Sequence, residues 1–390
     1  MCTPSRKLLR IAAAMTAVIV QITAIFSPSA AAEASAMPEV NAKSALLMEA
    51  STGKILGEYN ADEALPPASV TKIMTLLLVM EAIEAGAISL NDMVCASANA
   101  ASMGGSQIYL KEGEQMSVED LLKSVVVASA NDAAVALAEH ICGSEAVFVA
   151  RMNARAEELG MKNTHFENTN GLDDTVERHL TSARDIALMS RALLAHPQIL
   201  SYSGIWMDSI RNGEFGLTNT NRLIRFYRGA NGLKTGSTSR AGFCISATAE
   251  RDGMQLIAVI MGSPSRDIRN DAAKTLLDWG FANYGVYTHS PIDLDPIYVR
   301  GGVDAYCGIG YAPFSCVLPK GREGQVTVEY ICPENVSAPL KEGDHVGEVR
   351  FVCDGEQVGS TDILCAESVE RIGFWGVLGR IFRAAVLCGT

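Results

Sequence analysis

A serine and a lysine three residues apart, Ser69 and Lys72, open an apolar run over residues 73–80. Pro66 and Pro67 precede them, and proline before a run that begins with hydroxyl residues predicts a helix N-terminus. Residues three apart share a helix face, so the two side chains can meet. A serine hydroxyl attacks when a base takes its proton, and lysine is that base when burial or a nearby cation lowers its pKa.

Two further motifs follow along the chain. Ser129 and Asn131 form S-x-N, and Lys234, Thr235 and Gly236 form K-T-G. Each motif alone is a weak signal. All three in this order recur together in one class of serine acyl-transfer enzymes, and their wide separation predicts that three different elements converge on one cleft.

Composition limits the possible functions. The 390-residue chain is 48% hydrophobic and 19% charged, which supports a buried core and two or three domains. Its net charge of −12 argues against a nucleic-acid partner. The ten cysteines include no C-x-x-C pair, so neither a zinc knuckle nor a thioredoxin-like site is supported. No metal and no other cofactor is predicted. Most cysteines are expected to be small buried residues, and a bridge within residues 307–365 is left open.

The N-terminus has the pattern of an export signal. Arg6, Lys7 and Arg10 precede apolar residues 11–26 and then a tract of small residues. This order predicts a signal peptide over residues 1–36, and therefore an exported protein. The alternative is an uncleaved membrane anchor.

The C-terminal residues 367–390 form an amphipathic pattern. The apolar residues that share one face of a helical wheel are Phe374, Leu378, Ile381, Phe382 and Ala385. Arg380 and Arg383 lie on the other face, and Trp375 suits the depth of a membrane interface. The segment is too short to span a bilayer, so it is predicted to dock on a membrane surface. A helix packed on its own protein is the alternative.

The remaining periodicities predict an α+β fold. Strand patterns form a hairpin at the beginning of the main region and a second hairpin, turned by Asp252 and Gly253, near its end. Helical patterns lie between and after them, so the prediction is an antiparallel sheet packed by helices with a helical subdomain. The composition changes near residue 286, where short runs spaced by Gly and Pro predict a small all-β domain. The predicted boundaries are a signal peptide over 1–36, a catalytic domain over 37–285, a β domain over 286–366 and a membrane-docking tail over 367–390.

These motifs resemble those of the low-molecular-mass penicillin-binding proteins, the serine-type D-Ala-D-Ala carboxypeptidases. The resemblance runs from about Ala42 to Tyr284 and includes Asn170-Gly171-Leu172 and Asn219-Thr-Asn221. A β-rich second domain and an amphipathic tail are also typical of this family. The resemblance implies that the protein removes the terminal D-alanine from peptidoglycan stem pentapeptides and is acylated by β-lactam antibiotics. It also implies a location at the outer face of the cytoplasmic membrane or in the cell wall.

The resemblance also assigns roles to the motif residues. Ser69 attacks the carbonyl and becomes the acyl-enzyme, and Lys72 is the base. Ser129 relays a proton to the leaving amine, while Asn131 orients Lys72 and binds the substrate amide. The backbone N–H groups of Ser69 and Ser237 form the oxyanion hole.

The same resemblance assigns the substrate-binding side of the cleft. The strand that carries Lys234, Thr235 and Gly236 pairs with an extended peptide. Lys234, Thr235 and Arg269 bind the terminal carboxylate of the substrate. For Arg269, the alternative is a solvated charge at the start of a helix.

Other functions remain as alternatives. A D,D-endopeptidase or a β-lactamase would use the same fold, and a non-catalytic wall-binding protein would keep the fold without the reaction. Glu167 stands where a class A β-lactamase keeps its deacylating glutamate, but its neighbours do not match that motif, which favours a structural role. No G-x-S-x-G or H-E-x-x-H motif occurs.

Overall fold

The computed structural model describes residues 36–387. A five-stranded antiparallel sheet forms the centre of the N-terminal domain. In the order in which they neighbour one another, its strands are β2 (Ile55–Tyr59), β1 (Ser44–Glu49), β9 (Met254–Ser263), β8 (Gly242–Arg251) and β7 (Ala230–Thr238). The predicted signal peptide lies outside the described residues, except for Ala36.

Both predicted hairpins are confirmed. β1 and β2 pair across a turn after Glu49, and β8 and β9 pair across Asp252 and Gly253, whose φ angles are +51° and +75°. Aspartate and glycine tolerate this left-handed conformation, which matches the twist of a two-residue hairpin turn. β9 is almost entirely buried, because it lies in the middle of the sheet with helices on both faces.

Helices surround this sheet and form a second, helical region. They are α1 (Lys72–Glu84), α2 (Ala98–Ala101), α3 (Val118–Lys123), α4 (Asn131–Cys142), α5 (Glu145–Glu158), α6 (Ala183–Leu194), α7 (Ile199–Ser203), α8 (Leu223–Phe226) and α9 (Arg266–Asn283). Two short antiparallel pairs, β3 (Met93–Cys95) with β4 (Gln115–Ser117) and β5 (Met207–Ile210) with β6 (Phe215–Thr218), complete this domain. Ser117 caps the N-terminus of α3, since its hydroxyl accepts a hydrogen bond from the Asp120 N–H at 3.1 Å.

Helix α1 is the central helix of the main core. Its residues from Lys72 to Met80 are all buried, and it contacts α6, α4 and β7. A helix that is apolar on all sides must lie inside a protein, and this one is enclosed by the sheet on one side and the helical region on the other. The cleft described below opens at its N-terminal end, where sheet and helical region meet.

A small β domain follows, as predicted. Its strands are β10 (Tyr284–His289), β11 (Ile297–Arg300), β12 (Tyr306–Cys307), β13 (Ile309–Tyr311), β14 (Phe314–Pro319), β15 (Val326–Ile331), β16 (Asn335–Ser337), β17 (His345–Cys353) and β18 (Glu356–Cys365). They form a four-stranded sheet in the order β13-β18-β17-β15, a three-stranded sheet in the order β12-β11-β16, and the pair β10-β14. The fully buried Phe351, Val349 and Ile363 are at the centre of its apolar core.

A final helix, α10 (Phe374–Leu387), occupies the C-terminal segment. Within residues 36–387, no single helix combines the length and the hydropathy needed to cross a membrane, and α4 and α5 reach that threshold only when they are counted together across their 86° bend. The described cysteines are free, and most are buried, as predicted.

Candidate active site

The chain turns sharply just before the candidate nucleophile. Residues Ala68–Thr71 form a 3₁₀ turn that leads directly into α1, so Ser69 lies at the N-terminal end of this helix, as predicted. Ala68 adopts a left-handed φ of +50°, a conformation that costs free energy for a residue other than glycine and is typical of functional sites. The turn presents Ser69 to the cleft while Lys72 points into the core.

Lys72 makes three hydrogen-bonding contacts and is completely buried. Its Nζ lies 2.8 Å from Ser69 Oγ, 2.6 Å from Asn131 Oδ1 and 2.8 Å from the carbonyl oxygen of Asn170. Burial holds the pKa of Lys72 well below its usual value, and the positive charge of Lys234 lowers it further. Asp132 acts in the opposite direction but is the smallest of these influences. Burial and the neighbouring cation therefore favour the neutral form of Lys72, the form that can accept a proton.

Asn131 and Asp132, the first two residues of α4, fix the loop on the opposite side of the cleft. Asn131 accepts from Lys72 and donates through Nδ2 to the Gly104 carbonyl at 2.7 Å. The buried Asp132 carboxylate accepts from the backbone N–H groups of Ile108 and Leu110. A short segment of sequence thus positions both the lysine and the glycine-rich loop.

The second and third motifs meet through a hydrogen bond. Lys234 Nζ donates to Ser129 Oγ at 2.8 Å and to the Thr235 carbonyl at 2.9 Å. Ser129 has a left-handed φ of +62°, at the junction between a π-helical turn (Ser124–Ala128) and α4. Burial, together with the charge of Arg269, lowers the pKa of Lys234 to about 7. Burial therefore disfavours the charged form of both lysines of the site.

Gly236 allows β7 to approach the nucleophile closely. A Cβ atom on Gly236 would lie 2.8 Å from Ser69 N and 2.9 Å from Val70 N, distances that real Cβ atoms essentially never show. The absence of a side chain therefore lets β7 lie directly against the 3₁₀ turn. On either side of Gly236, Thr235 and the exposed Ser237 line the cleft, and Thr235 Oγ1 hydrogen-bonds Thr220 Oγ1 at 2.8 Å.

Arg269 lines the same cleft from the first turn of α9. It is only 3% exposed, and its guanidinium donates to Asn270 Oδ1 and, at 3.3 Å, to the Cys244 carbonyl. Burial, followed by the charge of Arg266, lowers the pKa of Arg269 to about 10, which leaves it protonated at neutral pH. Among the described residues, no carboxylate lies within ion-pair distance of this buried cation. The arrangement suits a carboxylate supplied by a ligand.

A buried histidine that the sequence analysis did not identify supports the nucleophile turn. His179 Nδ1 accepts from the Glu167 N–H at 3.0 Å, so its Nε2 carries the proton and donates to Thr71 Oγ1 at 2.8 Å. Thr71 in turn donates to the Ala68 carbonyl at 2.8 Å. Burial lowers the pKa of His179 to about 4, so the ring is neutral and this chain of hydrogen bonds is stable at neutral pH.

The cleft has a volume of about 590 Å³. Ser69, Ser129, Thr235, Gly236, Ser237 and Arg269 line it, and Lys72, Asn131 and Lys234 lie directly behind them through the contacts above. All the residues predicted for the site are therefore together. Asn219 and Thr220, from the Asn219-Thr-Asn221 stretch of the family resemblance, also line the cleft. The lining residues that the sequence analysis did not identify are Ser106, Trp206, Thr218, Arg222, Phe226 and Arg266.

Glu167 is not one of the residues that line the cleft. Its carboxylate accepts from the Arg178 N–H at 2.8 Å, and its own N–H donates to His179. Glu167 thus holds the loop that carries His179, in agreement with the structural role predicted for it. No group of three or more potential metal ligands occurs among the side chains of the described part of the chain.

Comparison with known proteins places this cleft in a family. Residues 30–265 match the peptidase S11 family of D-alanyl-D-alanine carboxypeptidases, and residues 311–371 match the C-terminal domain of penicillin-binding protein 5. The D-alanyl-D-alanine carboxypeptidase DacF of Bacillus subtilis is 41% identical over 347 residues, 87% of this chain and 88% of that protein. DacC of Escherichia coli is 36% identical over 368 residues, 90% of each protein.

Solved structures agree with the sequence matches. Penicillin-binding protein 5 from Haemophilus influenzae superimposes with a TM-score of 0.77 at 32% identity, covering 86% of this chain and 99% of that chain. Penicillin-binding protein D2 from Listeria monocytogenes, in its ampicillin-bound form, has a TM-score of 0.58 at 31% identity and covers 63% of this chain and 98% of that chain. The chain therefore belongs to the peptidase S11 family, as a serine-type D-Ala-D-Ala carboxypeptidase of the low-molecular-mass penicillin-binding proteins that acts on peptidoglycan.

Proposed function

We propose that Ser69 is the nucleophile with which this carboxypeptidase removes the terminal D-alanine from peptidoglycan stem pentapeptides. The observation that supports this proposal best is the 2.8 Å contact between Ser69 Oγ and the Nζ of a completely buried lysine. Since the pKa of Lys72 is lowered, its neutral amine can accept the Ser69 proton as the hydroxyl attacks the carbonyl of the D-Ala-D-Ala bond.

The tetrahedral intermediate needs donors for its oxyanion. We assign this role to the backbone N–H groups of Ser69 and Ser237, which lie on two segments that Gly236 allows to approach each other closely. Each such donor contributes about 3 kcal/mol of transition-state stabilisation in enzymes of this kind. The close approach of β7 is therefore the feature that makes this pair of donors possible.

Collapse of the intermediate expels D-alanine, whose amine must gain a proton. Ser129 is suited to this transfer because its hydroxyl receives a hydrogen bond from Lys234 and can donate its own proton to the amine. Asn131 keeps Lys72 in place through Oδ1, and the second N–H of its amide remains available for the substrate. Water then hydrolyses the acyl-enzyme with Lys72 again as the base, which returns Ser69 to its starting state.

The terminal carboxylate of the substrate requires a cation. Arg269 is buried, lies in the cleft and has no carboxylate partner among the described residues, while Lys234 and Thr235 lie on the adjacent strand. We assign these three residues to carboxylate recognition. A β-lactam combines a reactive amide with a nearby carboxylate, so it should acylate Ser69 in the same orientation, and the Listeria relative was solved with ampicillin bound.

The direct test measures D-alanine release from a peptide that ends in Lys-D-Ala-D-Ala, and in parallel the covalent adduct that penicillin forms. We expect the wild-type protein to do both and Ser69→Ala to do neither, with a loss on the order of 10⁴-fold or more. A Ser69→Ala protein that still forms the adduct would refute the assignment of the nucleophile. An adduct without D-alanine release would instead favour cleavage of cross-links.

For the other segments, we propose that residues 1–36 direct export, that the catalytic and β domains occupy 37–285 and 286–366, and that the tail docks on the membrane. The tail helix leaves Phe374, Trp375 and Phe382 exposed by 73%, 79% and 71%, which supports a role in contact with lipid. The side chains of Arg383 and Ala385 lie outside the described residues.

Deletion of residues 373–390 should release the protein from membranes while D-alanine release from soluble peptide continues. Residues 367–372 are kept because Val369 is buried in the core of the β domain and pairs with Leu340. Sedimentation with vesicles of phosphatidylglycerol and phosphatidylcholine measures the first effect. If the truncated protein still sediments with the vesicles, the tail is not the anchor.

A further inference from the structure

A groove of about 320 Å³ lies on the β domain and is lined by residues of both its three-stranded and its four-stranded sheet. Its walls include three tyrosines, Tyr298, Tyr306 and Tyr330, and two carboxylates, Asp295 and Glu334. The acylation chemistry described above uses none of these residues. Tyr298 and Tyr306 also precede residues 311–371, the part of the β domain that matches the family of penicillin-binding protein 5.

The strand register explains why two of these tyrosines face outward. In β11, Ile297 and Val299 are buried in the domain core, so Tyr298 between them must point to the opposite face. Tyr306 of β12 stands directly opposite Tyr298 in the antiparallel pair. Their rings meet edge to face, with centroids 5.7 Å apart. The two rings therefore form one aromatic surface on the groove.

This aromatic surface is not needed for packing. Tyr298 is 46% exposed and Tyr306 is 59% exposed, so a large part of each ring faces solvent. Within residues 36–387, neither hydroxyl has a hydrogen-bond partner, whereas the Tyr330 hydroxyl lies 3.3 Å from that of Tyr311. Exposed aromatic rings with free hydroxyls, side by side in a groove, are typical of a binding surface.

The charge of the groove restricts its ligand. Asp295 and Glu334 are exposed, and neither forms an ion pair with the described residues. No lysine or arginine is among the residues that line the groove. Carboxylates accept hydrogen bonds from hydroxyl and amide N–H groups and repel anions. This combination disfavours an anionic lipid surface or an acidic peptide and suits a neutral sugar, whose C–H face packs on an aromatic ring while its hydroxyls donate to carboxylates.

We propose that this groove binds the glycan of the cell wall through neutral, N-acetylated sugar units. The choice of ligand rests on the proposed function, because the stem peptides that the cleft trims are attached to such a glycan. Binding at the β domain would hold the enzyme on the polymer while successive peptides enter the cleft.

Isothermal titration calorimetry tests the proposal. The protein is the chain without its predicted signal peptide, and the probe is the β-1,4-linked tetramer of N-acetylglucosamine. We expect saturable binding to the wild-type protein, and a loss of affinity of about tenfold or more in Tyr298→Ala. Tyr298→Phe keeps the ring and should retain most of the affinity. Tyr59→Ala, which removes a 51% exposed tyrosine on β2, is the matched control and should bind like the wild type.

Two further measurements separate this proposal from the others. Glu334→Gln changes only an exposed side chain. It should lower the affinity for the tetramer several-fold, and it tests the site even if Tyr298→Ala fails to fold. D-alanine release from soluble pentapeptide should be unchanged in all these variants, since no step at Ser69 involves the groove. If the wild type binds sugar but releases no D-alanine, the proposed function fails while the glycan site stands.

Three results would overturn the glycan site. One is the absence of saturable binding of the tetramer to the wild type. Another is equal affinity in the wild type, Tyr298→Ala and Glu334→Gln. The last is a Tyr298→Ala protein that loses only vesicle binding or only self-association, which would assign the tyrosines to a membrane or to a second copy of the chain.

Discussion

The interior of the catalytic domain contains charged side chains, whereas the interior of the β domain is apolar. Lys72, Lys234 and Arg269 are all 3% exposed or less. Apart from tyrosines and cysteines, the buried polar residues of the described chain all lie between Ser44 and Asn270. Burying a cation costs several kcal/mol, so a fold retains three of them only where function requires it. The chemistry of the first domain therefore lies inside it, and any activity of the second must lie on its surface.

The backbone differs in the same way. In the catalytic domain, Ala68 and Ser129 have φ angles of +50° and +62° beside the cleft, and neither belongs to a β-hairpin turn. In the β domain, the left-handed Asp354 at +51° is followed by Gly355 at the turn between β17 and β18. The β-domain pair has the conformation usual for a two-residue hairpin turn. At Ala68 and Ser129, by contrast, the surrounding contacts hold a strained backbone.

The largest difference between the two domains is expected when a glycine in each is replaced by alanine and the acylation rates are compared. In Gly236→Ala, the new methyl group would lie 2.8 Å from Ser69 N and must push β7 away from the nucleophile. We expect penicillin acylation to slow by about 10²-fold or more, because a displacement of this size misplaces both oxyanion donors. Stopped-flow measurement of the adduct gives the rate.

Gly310→Ala is the control for this prediction. Gly310 lies on β13 of the β domain, and a Cβ atom there would meet nothing within 4 Å. Its acylation rate and its thermal unfolding should match those of the wild type. An unchanged rate in Gly236→Ala would contradict the role given to the close approach.

Removal of a buried cation should have the next largest effect. Arg269→Gln keeps a polar side chain but loses the charge opposite the substrate carboxylate. We expect kcat/KM for a D-Ala-D-Ala peptide to fall by about 10- to 100-fold, the usual range for a lost charge-assisted hydrogen bond. A peptide with an amidated C-terminus lacks that carboxylate and should be affected little.

The β domain offers the matched change for this prediction. Arg300 is an exposed arginine on β11, and Arg300→Gln should leave both substrates unaffected. Equal losses of Arg269→Gln on the free and the amidated peptide would show that Arg269 supports the fold and does not recognise the carboxylate.

A smaller effect concerns pH. Lys72 must be neutral to act as a base, so acylation should increase as pH rises through its lowered pKa. Lys234 must be charged to polarise Ser129, and its pKa is about 7, so acylation should fall above that pH by about tenfold per pH unit. Together these signs predict a bell-shaped profile of acylation rate against pH.

Lys234→Arg tests the alkaline side of the profile. An arginine stays protonated, so the decline above about pH 7 should disappear while the acidic side, which belongs to Lys72, remains. Circular dichroism controls for folding of the variant. A decline at the same pH in Lys234→Arg would assign that titration to another group.

Much of this site could be predicted from the sequence because its chemistry is carried by side chains at short spacing. Ser69 and Lys72 meet because three residues separate them on a helical turn, and the order of the three motifs implied one cleft. The Asn170 carbonyl that accepts from Lys72 could not be predicted, since every residue offers the same backbone acceptor. His179 lay in no motif, and only the tertiary structure brings it to Thr71.

In the β domain, the strands could be predicted from the sequence, but the surface that they form could not. Alternation and turn residues predicted its strands, and the change in composition predicted its start near residue 286. The pairing of Tyr298 with Tyr306 was not predicted, because the register of two short strands depends on which residues the core accepts. Surface function is therefore harder to infer from sequence than buried chemistry.

The last prediction compares the loss of one buried phenylalanine ring from the core of each domain. Phe351 is fully buried and stacks on Phe314 with ring centroids 4.0 Å apart, so Phe351→Ala should destabilise the β domain by about 3–5 kcal/mol. Phe148→Ala removes an equally buried ring from α5 in the catalytic core and should cost a similar amount. Calorimetry measures both losses.

At 25 °C, only Phe148→Ala should reduce D-alanine release from soluble peptide, because only that ring packs in the core that holds α1 and the nucleophile turn. The domains do touch, since Lys54 Nζ donates to the Val317 carbonyl at 2.9 Å and Lys320 Nζ donates to the Phe281 carbonyl at 2.5 Å. In each contact a lysine side chain meets a backbone carbonyl, and none of these four residues lines the cleft, so loosening of the β domain should not move Ser69 or Lys72. Equal loss of activity in both variants would mean that the packing of the β domain maintains the cleft. The interior of the β domain would then contribute to catalysis, contrary to the comparison drawn between the two domains.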